Sequence, residues 1–169
     1  MTSNLSLAIV AAFLSISASA FQSAHAADTG PATTQPTPSD RMSIARDAIK
    51  AKDYRRALAE LNLAARDEPR NADVHNLLGY SYRMQAKPDL PKSFEHYKKA
   101  LQIDPNHKGT HHYIGVAYLM DKKVADAESH LAKLEKACGN TTCPEYKDLA
   151  QTIGQYKING SVSSSYTFN

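Results

Sequence analysis

The feature that most constrains this chain is an internal repeat of 34 to 36 residues. Pro69, in Arg-Asp-Glu-Pro-Arg-Asn, aligns with Pro105, in Gln-Ile-Asp-Pro-Asn-His. The aligned positions before these prolines are Ala45 with Gly79, Ile44 with Leu78, Ala48 with Tyr82, Ala57 with Ser93, Leu61 with Tyr97 and Ala64 with Ala100. A third repeat continues with Ile114, Gly115, Tyr118, Ala127, Leu131 and Leu134. Self-similarity at this period is typical of stacked helical units.

Each repeat has the pattern of two short amphipathic helices, because its apolar residues recur three and four apart. One small residue in each first helix is expected where the two helices approach closely, namely Ala45, Gly79 and Gly115. The small residues expected to face them are Ala57, Ser93 and Ala127. Proline ends the second helix of the first two repeats, since it has no amide hydrogen and clashes with the preceding turn.

Polar side chains mark the predicted helix starts. Asn71 is expected to cap the first helix of the second repeat, and Asp53 and Asp89 are expected to cap second helices. Thr142-Cys-Pro-Glu145 has the sequence of a capping box with proline in the first turn. A helix is therefore predicted over residues 143–157, where it would cover the exposed end of the third repeat.

Leu78-Gly79-x-x-Tyr82, followed by Ser93, Tyr97, Ala100 and Pro105, resembles the tetratricopeptide repeat family. The resemblance extends over about residues 39–140. It implies an all-α fold, a right-handed α-solenoid of about three helix pairs with a C-terminal capping helix. The implied domain is residues 39–157, with repeat one at about 38–71, repeat two at 72–107 and repeat three at 108–141. Two departures stand out: Arg41, His75 and His111 replace the usual aromatic residue, and repeat two has two extra residues in Gln85-Ala-Lys-Pro88.

The chain on either side of the repeats has a different character. An apolar run from Leu5 to Ile16 leads to Ala24-His-Ala26, which predicts a signal peptide of residues 1–26, although no Lys or Arg precedes the run. Residues 27–38 are predicted to be a disordered Pro/Thr-rich linker, and residues 158–169 a flexible tail. We therefore expect a periplasmic or secreted protein without stable membrane insertion.

Cys138 and Cys143 are separated by Gly-Asn-Thr-Thr. In an exported chain such a pair is expected to form a disulfide, here between the last repeat helix and the capping helix. The chain-entropy model gives so short a loop only about 2 kcal/mol. Free thiols are the main alternative. Redox chemistry is disfavoured, because it usually uses a Cys-x-x-Cys spacing.

His107, His111 and His112 first suggest a metal cluster. His75 and His111, however, occupy positions where the family packs an aromatic ring, and no fourth zinc ligand is evident. The interpretation that we prefer is packing, with no metal and no cofactor. The sequence also has no nucleophile motif and no glycine-rich phosphate loop, and its net charge of +3 is too small to indicate nucleic acid. An enzyme is not expected.

The resemblance implies that first helices line a concave groove that binds a protein or peptide. The positions implied to contact the partner are Arg46, Lys50, Asn76, Tyr80, Arg83, Met84 and His112. Basic, aromatic and methionine side chains together favour a segment with acidic and apolar residues. The sequence therefore predicts a non-enzymatic adaptor or scaffold. The alternatives are a structural subunit of an envelope assembly and a metal carrier or accessory protein that uses the histidines.

Overall fold

The computed structural model of the protein describes residues 35–162, which form seven α-helices joined by short turns. No strand occurs in this range. The helices are α1 (Pro38–Lys50), α2 (Tyr54–Asp67), α3 (Ala72–Arg83), α4 (Leu90–Ile103), α5 (Lys108–Met120), α6 (Val124–Cys138) and α7 (Pro144–Asn159). The all-α repeat fold predicted from the sequence is confirmed.

Consecutive helices pair and then stack. In each repeat the first helix packs on the second, as α1 on α2, α3 on α4 and α5 on α6. The pairs are joined by contacts of α2 with α3 and of α4 with α5, while α3 also packs directly on α5. The buried apolar side chains form one cluster from α1 to α5 and a second between α5, α6 and α7. Each repeat therefore buries its apolar face only against its neighbours, as in other solenoids.

The first helices of the three repeats begin at equivalent positions with three different capping side chains. Thr37, Asn71 and His107 each accept a hydrogen bond from the backbone N–H three residues later. Among the second helices, Asp53 and Asp89 do the same for α2 and α4, as the sequence predicts. Lys123, at the equivalent position before α6, makes no side-chain cap.

The capping box predicted at Thr142–Glu145 is wrong. Cys143 is the N-cap of α7 and makes no side-chain capping bond. Both the amide and the hydroxyl of Thr142 donate instead to the Asn140 Oδ1 atom, each at 2.8 Å, so the threonine belongs to the preceding turn. A capping box that the sequence reading missed occurs at the other end of the fold, between Thr37 and Asp40.

Glycine is required where two helices come into direct contact. A Cβ atom at Gly79 would lie 2.6 Å from the ring of Tyr97, and the Ser93 hydroxyl donates to the Gly79 carbonyl oxygen at 2.8 Å. At Gly115 the nearest atoms to such a Cβ, at 2.6 Å, belong to Leu149 of α7. The sequence reading expected Ala127 of α6 to face this glycine, whereas the capping helix makes the closest approach.

The turn inside each repeat follows the spacing of the sequence. Residues 51–53 and 121–123 join the helices of repeats one and three, and in these turns Lys52 and Lys122 have left-handed φ angles of 59° and 60°. In repeat two the longer segment 84–89 joins α3 to α4. This agrees with the prediction that Gln85–Pro88 lengthens the turn.

The first and last helices overlap slightly with the predicted linker and the predicted tail. Helix α7 continues to Asn159, two residues into the segment predicted as a tail, and α1 starts at Pro38, the last residue of the predicted linker. The predicted signal peptide, the linker up to residue 34 and the tail from residue 163 lie outside the described residues. Within residues 35–162, no helix is long and apolar enough to span a bilayer.

A disulfide joins α6 to α7. Cys138 and Cys143, the pair that the sequence predicts, are bonded with an S–S distance of 2.07 Å and a Cα–Cα distance of 6.2 Å. Gly139, which ends α6 with a left-handed φ of 70°, turns the chain within this short loop. The bond therefore fixes the start of the capping helix beside the end of the last repeat.

Candidate protein-binding groove

The first helices of repeats two and three meet along one stripe of side chains, which we call the α3–α5 seam. Its residues on α3 are spaced three and four apart, so they share one face of the helix. From one end to the other, Asp73 faces His107, Asn76 faces Gly109, Tyr80 faces Tyr113 and Arg83 faces Met120. The family resemblance predicts that first helices line a concave groove, and the seam lies along two of these helices.

Aromatic rings surround a guanidinium at the centre of the seam. The rings of Tyr80 and Tyr113 have centroids 4.9 Å apart, and the Arg83 Cζ atom lies 5.2 Å and 6.0 Å from the two centroids. Such distances allow cation–π attraction, which is stronger where water is excluded. Burial raises the pKa of Tyr80, and the nearby Arg83 charge partly opposes that shift. The centre of the seam is therefore a cationic and aromatic layer.

One buried acceptor of the seam lacks a hydrogen bond within residues 35–162. Asn76 is only 5% exposed, and its Oδ1 atom has no partner among these residues. Its Nδ2 atom lies 3.3 Å from the place where a Cβ of Gly109 would stand. Gly109 thus leaves room for the amide, and an alanine at 109 would press on it.

The predicted groove residues differ in accessibility. Asn76, Tyr80, Arg83 and His112 are buried. Arg46 and Met84 are half-buried and Lys50 is exposed. Arg46 lies close enough to Asp73 to help lower the pKa of that carboxyl, after the larger effect of the His107 hydrogen bond. Contact of any of these side chains with a partner stays a prediction.

His112 lies in the same layer, 4.9 Å from Tyr113 between ring centroids. Burial lowers the pKa of His112 to about 4, and the charge of Arg83 adds to the effect. The imidazole is therefore neutral near pH 7. Positive charge in this part of the groove comes from arginine and lysine and not from His112.

The histidines that suggested a metal cluster have separate partners. His107 Nε2 contacts Asp73 at 3.1 Å, and His111 Nδ1 contacts His130 Nδ1 at 2.9 Å. His112 lies beside Tyr113 with the two rings tilted against each other. Within the described part of the chain, three potential ligand side chains converge only at Cys138, Cys143 and Glu145. Two of these three are sulfurs already joined in the disulfide, so the geometry gives no support to a metal carrier.

Two sets of residues in this region were missed by sequence reasoning. Tyr113 and Tyr54 both contact the Tyr80 ring, yet neither was among the predicted groove residues. His96 and His130 are the partners of His75 and His111. The second omission was avoidable, because His96 and His130 occupy equivalent positions when the repeats are aligned.

Comparison with known proteins agrees with this arrangement of paired helices. Residues 42–108 match the tetratricopeptide repeat family. The matched segment runs from α1 to the first residue of α5 and includes all of repeat two. The α3 half of the seam therefore lies within the matched segment.

Two individual proteins are similar to parts of the chain. Over 66 residues, 38% of this chain, it is 33% identical to the E3 SUMO-protein ligase RanBP2 of Drosophila melanogaster, but it spans only 2% of that protein's length. The crystal structure of the Sgt2 TPR domain from Aspergillus fumigatus superposes with a TM-score of 0.61 at 18% identity. The superposition covers 83% of this chain and 95% of that domain, which shows an all-α helical repeat fold like that of the domain.

Proposed function

We propose that the protein is a non-enzymatic adaptor or scaffold that holds a segment of another protein in the groove above the α3–α5 seam. Tetratricopeptide domains are in general protein-interaction modules, and residues 42–108 match that family. The first helices present side chains of mixed character at this surface. Among the described residues, the Thr110 hydroxyl lies 2.9 Å from His107 Nδ1, but Thr110 is fully buried and its backbone amide donates to the same nitrogen, so this contact caps α5 and is not open to a substrate.

The observation that carries the proposal is the buried Oδ1 atom of Asn76. A buried acceptor without a hydrogen bond costs about 1–3 kcal/mol. A backbone N–H of an extended bound segment would remove that cost after a rotation of the amide that turns Oδ1 toward the groove. Gly109, opposite Asn76, has no side chain to block such an approach.

The accessible part of the groove indicates the chemistry of the partner. Arg46 and Lys50 provide positive charge on α1, while Met42, Met84 and Met120 are half-buried apolar groups. Arginine pairs with carboxylates through two parallel hydrogen bonds, and methionine adapts to varied apolar shapes. The segment that fits is therefore one with acidic and apolar side chains.

The place of action that we propose is the periplasm or the outside of the cell. The apolar run Leu5–Ile16, followed by Ala24-His-Ala26, supports export with cleavage after Ala26. The disulfide between Cys138 and Cys143 suits an oxidising compartment. Intact-mass measurement on the native protein tests this, because a product that retains Met1 would contradict it.

A second candidate is a structural subunit that associates with copies of itself or with an envelope complex. It is distinguished by concentration-dependent association in sedimentation experiments. A monomer at micromolar concentration favours the groove-binding role.

The test of the groove uses matched pairs of exposed and half-buried residues. The partner is first identified by cross-linking in the native envelope and mass spectrometry, and its affinity is then measured by calorimetry. Arg46→Ala and Lys50→Ala are expected to weaken binding by about tenfold each. Arg55→Ala on α2 and Lys98→Ala on α4 remove the same side-chain types elsewhere and are expected to change the affinity by less than about twofold.

Tyr80 and Arg83 need conservative substitutions, since truncation of such buried side chains would also disturb the fold. Tyr80→Phe removes only the hydroxyl group and serves this purpose. Loss of binding in Arg55→Ala or Lys98→Ala, with Arg46→Ala and Lys50→Ala unaffected, would place the binding surface outside the groove.

A further inference from the structure

Repeats two and three contain the same pair of hydrogen-bonded histidines. In repeat two, His75 Nδ1 lies 3.2 Å from His96 Nδ1, and His75 Nε2 lies 3.1 Å from the Pro69 carbonyl oxygen. In repeat three, His111 Nδ1 lies 2.9 Å from His130 Nδ1, and its Nε2 lies 2.8 Å from the Pro105 carbonyl oxygen. Each pair therefore joins the first helix both to the second helix and to the preceding turn.

The carbonyl oxygens determine where the protons lie. A carbonyl oxygen only accepts, so the Nε2 atoms of His75 and His111 carry hydrogen. In the neutral rings their Nδ1 atoms must then accept, and the Nδ1 atoms of His96 and His130 must donate. A pair with two added protons would place two N–H groups face to face, which breaks the bond between the helices.

The pair of repeat two can take at most one extra proton without losing this bond. That proton would enter at Nε2 of His96, which is half-buried and stacks on Tyr82 with ring centroids 5.5 Å apart. Lys92 and Lys99 act against the added charge, and Glu95 favours it. Lys99 also acts against a charge on His75.

The pair of repeat three is more enclosed. His130 is 7% exposed and stacks on Tyr118, with ring centroids 5.6 Å apart. Lys133 opposes a positive charge on either ring. His107 also lowers the pKa of His111, whereas Asp104 raises it. Even a first proton is costly here.

Repeat one differs at the same two positions. Arg41 aligns with His75 and His111, and Glu60 aligns with His96 and His130. Arg41 and Glu60 form a salt bridge of 3.2 Å. Arg41 also lies 3.6 Å from Asp67. The joint of repeat one is therefore an ion pair of a guanidinium and carboxylates and contains no imidazole.

We propose that the two histidine pairs are an acid-sensitive joint, which loosens the helix pairs of repeats two and three in mild acid while repeat one remains packed. The proposal is independent of the groove function, since it concerns packing between α3 and α4 and between α5 and α6. Repeats in a solenoid contact only their neighbours, so one part can loosen before another.

The pKa values agree in sign with this geometry. Burial lowers the pKa of all four paired histidines, and that of His130 falls to about 3. The unfolded chain, with histidine pKa values near 6.5, then binds more protons than the folded chain below that pH. The contribution of the four paired histidines to the free energy of unfolding is therefore complete above about pH 7.5 and decreases as the pH falls through 6.5.

The first experiment compares urea unfolding of the full chain at pH 7.5 and 5.0. The ratio of unfolded to folded protein is expected to rise about 30-fold for each proton that the fold excludes. The variants His75→Arg with His96→Glu, and His111→Arg with His130→Glu, transfer the charged pair of repeat one. Each double variant is expected to reduce the acid effect by at least about tenfold.

The control is His107→Asn, which removes one imidazole outside the pairs and keeps a side chain able to cap α5. It is expected to change the acid effect far less than either double variant does. His112 contributes a constant background, because it is present in every variant. An acid effect that is the same in the double variants and the control would overturn the proposal.

A second measurement on the unmodified protein keeps the test valid if a double variant does not fold. Long-range ¹H–¹⁵N spectra of the imidazoles should show Nε2–H tautomers for His75 and His111 and Nδ1–H tautomers for His96 and His130. At pH 5.0, hydrogen exchange corrected for its intrinsic rate should increase in α3–α6 more than in α1 and α2. Paired histidines that all titrate near pH 6.5, or exchange that rises equally in every helix, would contradict the joint.

Discussion

Repeat one and the two repeats that follow it have the same backbone arrangement but fill it with different chemistry. Where repeat one has Ala45, the later repeats have Gly79 and Gly115. Repeat one joins its helices with the Arg41–Glu60 salt bridge, whereas the later repeats use histidine pairs. In repeats two and three, Tyr82 and Tyr118 stack on the histidine of the second helix. Repeat one has Ala48 at the aligned position.

The difference shows that these positions change in sets. Tyr97 fills the space that a side chain on Gly79 would need, and the smaller Leu61 takes the place of Tyr97 in the repeat that has Ala45. A charged residue on one helix is likewise matched by its counter-charge on the other. Each set satisfies packing and hydrogen bonding on its own, so changing one member of such a set without the other should be destabilising.

The largest effect is expected for Gly79→Ala. The new methyl group would lie 2.6 Å from the Tyr97 ring and 3.0 Å from the Ser93 carbonyl oxygen, so helices α3 and α4 would have to separate. Overpacking of this kind costs about 1–3 kcal/mol of unfolding free energy, more than alanine gains as a helix former. Urea unfolding at pH 7.5 measures it.

The matched control is Gly154→Ala on α7, where an added Cβ meets no atom within 4 Å. That substitution is expected to raise stability by up to about 1 kcal/mol. The double change Gly79→Ala with Tyr97→Leu reproduces the set of repeat one and should recover part of the loss. If Gly79→Ala is as stable as Gly154→Ala, the close approach of α3 and α4 is not as described.

A smaller effect is expected for Glu60→Gln, which removes the charge of the partner of Arg41 but keeps its shape. Arg41 is largely buried, with 10% of its side chain exposed, so the loss should be about 1–2 kcal/mol. Asp67→Asn is the control, because Asp67 is more exposed and lies farther from Arg41. It should cost less than about 0.5 kcal/mol. Equal losses in the two variants would mean that the charge pair is not specific.

The smallest effect is a gain, expected for Lys123→Asp. Lys123 stands where repeats one and two have the capping residues Asp53 and Asp89, and its backbone angles are close to those of Asp89.

 The angles are −102° and 72° at Lys123, against −99° and 78° at Asp89, so an aspartate there would be ready to accept from the N–H three residues later. The melting temperature should rise by about 2–5 °C. Lys123→Ala, which removes the lysine without adding a cap, is the control and should give no gain.

The fold could be predicted from the sequence because its information is local and repeated. The spacing of small and apolar residues determines the helix pairs, and Asp53, Asn71 and Asp89 mark helix starts by a mechanism that acts within three residues. The same reasoning failed at Thr142, where Asn140 in the preceding turn competes for the threonine hydroxyl. A capping sequence cannot show whether the hydroxyl will accept from a helix N–H or donate to a side chain of the preceding turn.

The candidate site was harder to predict, since it depends on distances between helices. The positions Asn76, Tyr80 and Arg83 follow from the family resemblance, but their burial does not. It depends on how closely α3 and α5 approach, which Gly109 and Tyr113 help to determine. The histidine pairs span 19 and 21 residues and belong to no local pattern. They become visible only when second helices are aligned with one another.

The disulfide between Cys138 and Cys143 makes the two ends of the solenoid unequal. An array whose units contact only their neighbours tends to fray from its termini. At the amino-terminal end, α1 can peel away from α2 with no covalent link beyond its own turn. At the carboxyl-terminal end, α7 stays tethered at its first turn to the last turn of α6, so it has only its far end free to lift. Unravelling of the described helices should therefore run preferentially from α1 inward.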